Sequence, residues 1–385
     1  MFPTFISKPD SELEELISRL VFSATSLGKD SPNPYLLAEV GSFLYQINSY
    51  YTNSMEGNPS LLIDIENALN HRYAKNKELR NYQLEHVAHI CTQKNMIKKL
   101  KANSQIDVCS QEFICSLHHE FYSQLPDEMK FALTLGGKKT PVFPGQIRET
   151  PVQVGRHTHP QNLNEIKRYL NDFHFTFDLK NLSLQEKVIA LASSHHRLLW
   201  IHPFSDGNGR IARLFTEAFS YQIGLNTHSL WNVARGFARN RKDYDTYLAL
   251  ADLPRRNALD GRGPLSEEEL LKFCKFFLNS CLDQVNYMAN VLNFKEIEKR
   301  FSSFLSYKKE MKHLSKNLLK VLEKIFKQGK LERKEILEIC RVKQRRASQI
   351  IQEALQSGFC QSPSSYGPIL LKITAEMSNF LFPDL

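Results

Sequence analysis

The residues of this chain best suited to chemistry lie in one short run, His202-Pro203-Phe204-Ser205-Asp206-Gly207-Asn208-Gly209-Arg210-Ile211-Ala212-Arg213. A histidine can take a proton near neutral pH, so His202 is a candidate general base. Asp206 offers a hard carboxylate oxygen of the kind that holds Mg²⁺ against phosphate. Arg210 and Arg213 are three residues apart and share one face of any helix that contains them. Free backbone N–H groups at a helix N-terminus, glycines that admit close backbone approach, and two arginines make a polyphosphate cradle. Cations at a helix N-terminus are themselves unfavourable by a few tenths of a kcal/mol or more, a cost that a bound anion offsets. A base, a metal carboxylate and an anion cradle so close together describe a phosphoryl or nucleotidyl transfer site.

Two helices must position this run. Apolar spacing predicts one from about Leu184 to Ile201, ended by Pro203, which disfavours α conformation at the residue before it. Asp206-Gly207-Asn208-Gly209 reads as a tight turn. A new apolar period through Ile211, Leu214, Phe215 and Phe219 predicts a second helix from Asn208 to a stop at Gly224. Rival readings fit less well. A calcium-binding loop from Asp206 to Glu217 fails at its fifth and sixth positions, where Arg210 and Ile211 replace a ligand and the required glycine. Gly137-Lys138-Lys139-Thr140 lacks the leading glycine and adjacent hydroxyl residue of a Walker loop. His195 and His196, on the first helix, read as packed, hydrogen-bonded residues.

His202-Pro203-Phe204-Ser205-Asp206-Gly207-Asn208-Gly209-Arg210, continued to Arg213, resembles the full signature of the Fic family, H-P-F-x-D/E-G-N-G/K-R-x-x-R. The resemblance implies a helical Fic fold and transfer of AMP from ATP to a protein hydroxyl. It implies that His202 deprotonates the target, Phe204 anchors the loop, and Asp206 holds Mg²⁺. It gives Gly207, Asn208 and Gly209 to the α- and β-phosphates, and Arg210 and Arg213 to the β- and γ-phosphates. Arg148-Glu149-Thr150-Pro151-Val152-Gln153-Val154-Gly155 resembles the family's β-hairpin flap. Val152, Val154 and Gly155 would then align a target segment by strand addition. Thr52-Asn53-Ser54-Met55-Glu56-Gly57 resembles the family's inhibitory motif, placed upstream of the core as in class II members. That likeness implies that Glu56 pairs with Arg213 and denies it to the γ-phosphate. In some relatives the equivalent glutamate also serves removal of AMP. From Trp231 to Tyr244 the chain is similar to long bacterial members, with Tyr244 at an adenine-pocket position. Asp245 and Asp252 stand where those members carry a second tyrosine and an asparagine.

The remaining features concern organisation. The chain has 385 residues and a formal charge of +9, and residues 291–385 hold 18 Lys+Arg against 10 Asp+Glu. Such asymmetry predicts a basic module appended to a nearly neutral body, with nucleic acid as the usual partner of such a module. Helical spacing at 318–327, 332–340 and 343–356, followed by a hairpin, looks like a winged helix-turn-helix. Arg341, Lys343, Arg345 and Arg346 open the third of these helices, where contacts to duplex DNA would fall. Seven cysteines without a C-x-x-C pair read as reduced thiols. No apolar run approaches bilayer length and no secretory leader is read at the start, so a cytoplasmic protein without membrane contact is expected. Export by another route stays open, as does a homodimer.

The expected architecture is mainly α. It comprises an N-terminal helical inhibitory segment (1–105), a Fic core with a β-hairpin flap (106–285) and a linker helix with a winged-helix domain (286–385). The leading function is an auto-inhibited adenylyltransferase acting on Ser, Thr or Tyr with ATP and Mg²⁺. The alternatives are a bifunctional or net AMP-removing enzyme that uses Glu56, and a DNA-binding regulator whose Fic site senses nucleotide.

Overall fold

The computed structural model describes residues 5–6, 8–29, 33–133, 137, 139–154, 157–158, 160–261 and 263–385. The chain is mainly helical. Its first half carries α1 (Ser11–Ser26), α2 (Pro34–Ser54), α3 (Leu62–Leu69), α4 (Lys77–Ala102), α5 (Gln111–Ser123), α6 (Leu163–Phe177) and α7 (Leu184–Ile201). Then follow α8 (Asn208–Gln222), α9 (Val233–Arg239), α10 (Arg241–Leu250), α11 (Glu267–Val291) and α12 (Phe294–Glu310). The last four helices are α13 (Lys316–Gln328), α14 (Glu335–Cys340), α15 (Gln344–Gln356) and α16 (Ala375–Leu381). Two small antiparallel hairpins pair β1 (Phe131–Leu133) with β2 (Lys139–Pro141), and β3 (Gln153–Val154) with β4 (His157–Thr158). A third sheet has the order β5-β7-β6, from β5 (Lys330–Leu331), β6 (Cys360–Gln361) and β7 (Ile369–Leu371). Among the described residues, no helix is long and apolar enough to cross a membrane.

The chain divides into two compact units. One holds residues 1–25, 48–227 and 232–285; the other holds 26–47, 228–231 and 286–385. Residues 26–47, which sequence reading gives to the N-terminal segment, therefore group with the C-terminal module. The cause is packing at long sequence range. Phe43 stacks on Phe382 at 5.6 Å, the Asn33 amide donates to the Phe326 carbonyl at 2.8 Å, and Glu39 accepts the Ile373 N–H at 2.8 Å.

The helices that carry the candidate site are set by local signals. Ser183 caps α7, accepting the Glu186 N–H while the Glu186 carboxylate accepts the Ser183 N–H, a reciprocal capping box. From Val188 to Leu198 every side chain of α7 is buried, the polar Ser193, Ser194, His195, His196 and Arg197 included, so this helix is central to its unit. Helix α8 is buried from Arg210 to Ser220 and packs against α7, α4 and α5. Its Phe215 lies 5.6 Å from Phe173 of α6 and 5.8 Å from Phe219, so aromatic packing fixes the helix that presents the two arginines.

The second unit gathers α13, α14 and α15 around the three-stranded sheet. Gly329 ends α13 with a φ of +82°, and the next residue enters β5. Phe301 of α12 stacks on Phe326 of α13 at 4.1 Å, which ties the long helix to this module.

Candidate active site

The loop between α7 and α8 is held from both ends. His202 closes α7 in the left-handed region, at φ +51° and ψ +61°, with its N–H on the Leu198 carbonyl. A non-glycine residue there is strained by about 1–3 kcal/mol and persists only where neighbours enforce it. Arg148 is the enforcing neighbour. Its Nε donates to the His202 carbonyl at 2.7 Å and its backbone N–H to the Pro203 carbonyl at 2.9 Å. The same guanidinium donates to the carbonyls of Thr150 and Pro160, so it ties the stem of the β3–β4 hairpin to the histidine loop. Burial pulls the Arg148 guanidinium down to about 10.

Phe204 and Asn208 lock the rest of the loop. Phe204 is fully buried and stacks on His118 of α5 at 4.0 Å. The Asn208 side chain accepts the Phe204 N–H and donates back to the Phe204 carbonyl, at 3.0 and 2.8 Å. Its amide is thus committed to the loop, and its backbone N–H is the part of Asn208 available to an anion. Gly207 adopts φ +80°, and a Cβ there would come within 2.8 Å of the Tyr122 ring, so glycine is required on both counts.

Asp206 is fixed by α5. Tyr122 Oη donates to Asp206 Oδ2 at 2.5 Å, and Arg210 Nη2 approaches the same oxygen at 3.3 Å. His118 accepts the Gly145 N–H at Nδ1, so Nε2 carries the proton and faces the Asp206 carbonyl at 3.3 Å. Burial pushes the His118 imidazole down to about 3, which keeps it neutral in this role. Arg210 also pairs with Glu85 of α4 at 3.3 Å. Burial alone would lower its guanidinium, but Tyr122, Asp206, Glu85 and Glu56 outweigh that and hold it above its ordinary value.

Glu56 reaches this cradle from the turn after α2. Its carboxylate pairs with Arg213 Nη2 at 2.5 Å, and the same nitrogen donates to the Thr52 carbonyl at 3.2 Å. The carboxylate also lies against Gly209, in the space that a Cβ on that residue would need. An anion therefore sits on the first turn of α8, where the helix dipole and the N–H groups favour one. Burial would raise the Glu56 carboxyl, but Arg213, Arg210 and Arg241 win and hold it below the usual carboxylate range. Arg241 clamps the turn itself by donating to the Met55 carbonyl at 2.7 Å.

The structure thus brings together His202, Asp206, Gly207, Asn208, Gly209, Arg210, Arg213 and Glu56. Tyr244 is buried, with its ring on Phe237 at 4.4 Å and its hydroxyl 3.0 Å from His195 Nε2. Val152 is half-buried and Val154 pairs with His157, whereas Gly155 lies outside the described residues. Arg341, Lys343, Arg345 and Arg346 are exposed around the start of α15, in the second unit. Sequence reasoning passed over Tyr122, His118, Glu85 and Arg241. The first two carried a usable signal: a tyrosine and a histidine four apart on the apolar face Phe113, Ile114, Leu117, Phe121 require polar partners.

Among the described residues, no three His, Cys, Asp or Glu side chains gather as a metal cage. A single half-exposed carboxylate beside a phosphate cradle suits Mg²⁺, which keeps its waters and takes one or two carboxylates plus substrate phosphates. The donor set therefore fits that ion.

The model of the Fic/DOC family matches residues 108–220. These residues form a Fic/DOC-family domain. A protein adenylyltransferase Fic from Nematostella vectensis is 34% identical over 116 residues, covering 30% of this chain and 26% of that protein. The match thus spans about a quarter of that relative. A solved Fic family protein from Desulfovibrio desulfuricans G20 superposes with a TM-score of 0.51 at 13% identity, over 94% of this chain and 97% of that one. A Fic domain containing signaling protein from Bacteroides thetaiotaomicron gives 0.52 at 17% identity, over 73% and 97%. At such identities the likeness shows the fold, and the Fic fold is the one described above.

One turn beyond Arg213, the Fic domain buries Glu217 of α8. Its Oε2 accepts the amides of Asn48, Gln93 and Asn232 at 3.1, 2.5 and 3.4 Å. Burial pushes this carboxyl up to about 7, with the Gln93 amide working against it. A folded-state value above the unfolded one means that the native chain holds the extra proton, so stability falls as pH rises through that window. Between pH 4.5 and just above 7 the wild type is expected to lose on the order of 3 kcal/mol relative to Glu217→Gln. Chemical denaturation midpoints of the two proteins at pH 5 and pH 8 measure it, and parallel profiles would refute it.

Proposed function

We propose that the chain is an auto-inhibited protein adenylyltransferase that moves AMP from ATP to a Ser, Thr or Tyr hydroxyl of a protein, itself included. The observation that carries this reading is the Glu56–Arg213 pair on the first turn of α8. The Fic/DOC-family domain and the adenylyltransferase relatives support the reaction type. The target oxygen attacks the α-phosphorus, the bond to the bridging α–β oxygen breaks, and pyrophosphate leaves. His202 takes the hydroxyl proton. The first N–H groups of α8 hold the α- and β-phosphates, and Arg210 and Arg213 the β- and γ-phosphates. Asp206 would hold Mg²⁺, which supplies charge neutralisation at the phosphates when bound. Glu56, reaching in from the N-terminal side as in class II members, denies Arg213 to the γ-phosphate. The hairpin tied down by Arg148 would align the target segment through backbone pairing.

The test incubates wild type, Glu56→Gly and His202→Ala with Mg²⁺ and ATP labelled on the α-phosphate, and reads label on protein. Label strongest in Glu56→Gly and absent in His202→Ala is expected. No label in any of them despite ATP binding would overturn the reading.

A second activity is favoured by charge. We read α13, α14, α15 and the β5-β7-β6 sheet as a winged helix-turn-helix that binds duplex DNA, because Arg341, Lys343, Arg345 and Arg346 are all exposed at the start of α15. At about 50 mM salt, retention on duplex DNA is expected for the wild type and lost in Lys343→Ala/Arg345→Ala/Arg346→Ala, with the salt slope falling by about 1 per phosphate contact removed. Equal retention of the two proteins would refute it.

A further inference from the structure

The Tyr122 hydroxyl donates to the carboxylate at the centre of the site. Tyr122 is 1% exposed, wedged between the His118 ring at 4.4 Å and the loop at Gly207, and its Oη is 2.5 Å from Asp206 Oδ2. A buried phenol must place its proton on an acceptor, and its own O–H is a far stronger donor than any backbone group nearby. Arg210 Nη2 approaches Oδ2 as well, at 3.3 Å. Both bonds therefore end on one oxygen of the carboxylate. The backbone of the same residue is held independently, by His118 Nε2 on the Asp206 carbonyl. The side chain itself is 43% exposed, so its other oxygen, Oδ1, is the one offered to a cation.

This asymmetry bears on which cation the site takes. Mg²⁺ is small, holds octahedral geometry, and binds a carboxylate through one oxygen while keeping several waters. Ca²⁺ is larger, takes six to eight oxygens, and commonly uses both oxygens of a carboxylate. A carboxylate with Oδ2 already committed to two donors, a phenol and a guanidinium, can serve the first ion fully and the second only by half.

We propose that Tyr122 is a positioning residue that restricts Asp206 to one-oxygen coordination and so selects Mg²⁺ over Ca²⁺ at the nucleotide site. Its role is exerted through Asp206, with no contact to nucleotide or target required. The inference rests on the functional reading above, and it extends that reading from which residue holds the ion to which ion is held. It also accounts for the glycine at 207, since any side chain there would push into the ring that aims the carboxylate.

The experiment measures ATP affinity of the full chain in a Glu56→Gly background, with Mg²⁺ or Ca²⁺ titrated separately, with and without Tyr122→Phe. Phenylalanine keeps the buried ring and its stack on His118, and a melting temperature for each protein checks that the fold is retained. With Tyr122 present, Mg²⁺ is expected to enhance ATP binding at least tenfold more effectively than Ca²⁺. In Tyr122→Phe that preference is expected to shrink to about twofold or less, through a rise in the Mg²⁺ requirement and a fall in the Ca²⁺ requirement. A merely structural tyrosine would weaken both ions alike. Equal loss for the two ions, or an unchanged preference, overturns the inference while leaving the functional reading intact. Absence of any divalent effect on ATP binding in the Glu56→Gly parent overturns that reading and this inference together. Should Tyr122→Phe melt early, the same two titrations on Arg210→Lys, which keeps the charge but loosens the second bond to Oδ2, are expected to narrow the preference in the same direction, and no narrowing overturns the inference.

Discussion

Glu56→Gly is expected to raise AMP incorporation about a hundredfold over the wild type. Two effects of the substitution act at the same place. Removing the carboxylate frees Arg213 Nη2, now paired with Glu56 at 2.5 Å, to meet a γ-phosphate. It also clears the space over Gly209, so the N–H groups that open α8 can receive phosphate oxygens instead of a glutamate. Loss of one preorganised donor at a charge-stabilising site costs about 10²–10³ in rate, so its restoration should return a similar factor. Arg213 is only 5% exposed, so its charge is poorly screened by water. Glu56→Gln separates the two effects. It keeps the bulk of the side chain while removing its charge, and its incorporation is expected to lie between those of wild type and Glu56→Gly. The assay is label from ATP marked on the α-phosphate, at fixed Mg²⁺. Equal label in wild type and Glu56→Gly would mean that the pair is structural.

How far the site could be read in advance depended on whether its parts were local in sequence. The run from His202 to Arg213 is contiguous, and its helix ends follow from Pro203 and the Gly207–Gly209 turn; the structure ends α7 at Ile201 and starts α8 at Asn208. Glu56 was legible only through a motif, because the turn that carries it lies 157 residues from Arg213 along the chain. Spacing marks Tyr122 as a residue on the apolar face of α5 that needs a polar partner, but it does not name Asp206 as that partner, and nothing local assigns Glu85 of α4 to the cradle. The same limit explains residues 26–47. They fall within the N-terminal helical segment by sequence, but Phe43 against Phe382 and Asn33 against Phe326 are pairings across most of the chain. Tyr244 shows a different limit. Its sequence position was legible, but its hydroxyl's partner, His195 of α7 at 3.0 Å, is one that spacing along the chain does not name.

His202→Ala is expected to reduce transfer by about 10²–10⁴ while leaving the affinity for ATP within about twofold of the parent, because a general base contributes to the chemical step and the phosphate cradle is built from other residues. The backbone complicates that variant. His202 sits at φ +51°, a conformation that alanine adopts no more readily than histidine, so part of any loss could come from a shifted loop. His202→Asn removes this ambiguity. Asparagine tolerates the left-handed region, its side chain is no general base near neutral pH, and the Arg148 bond to the residue's carbonyl at 2.7 Å is indifferent to the side chain. Both variants, made in the Glu56→Gly background so that transfer is measurable, should fall together. If His202→Asn retained more than a tenth of the parent's transfer, proton removal by this imidazole would not be the step that limits the reaction. If both variants instead lost ATP affinity in proportion to activity, His202 would be part of the nucleotide cradle and the base would have to be sought elsewhere on the loop.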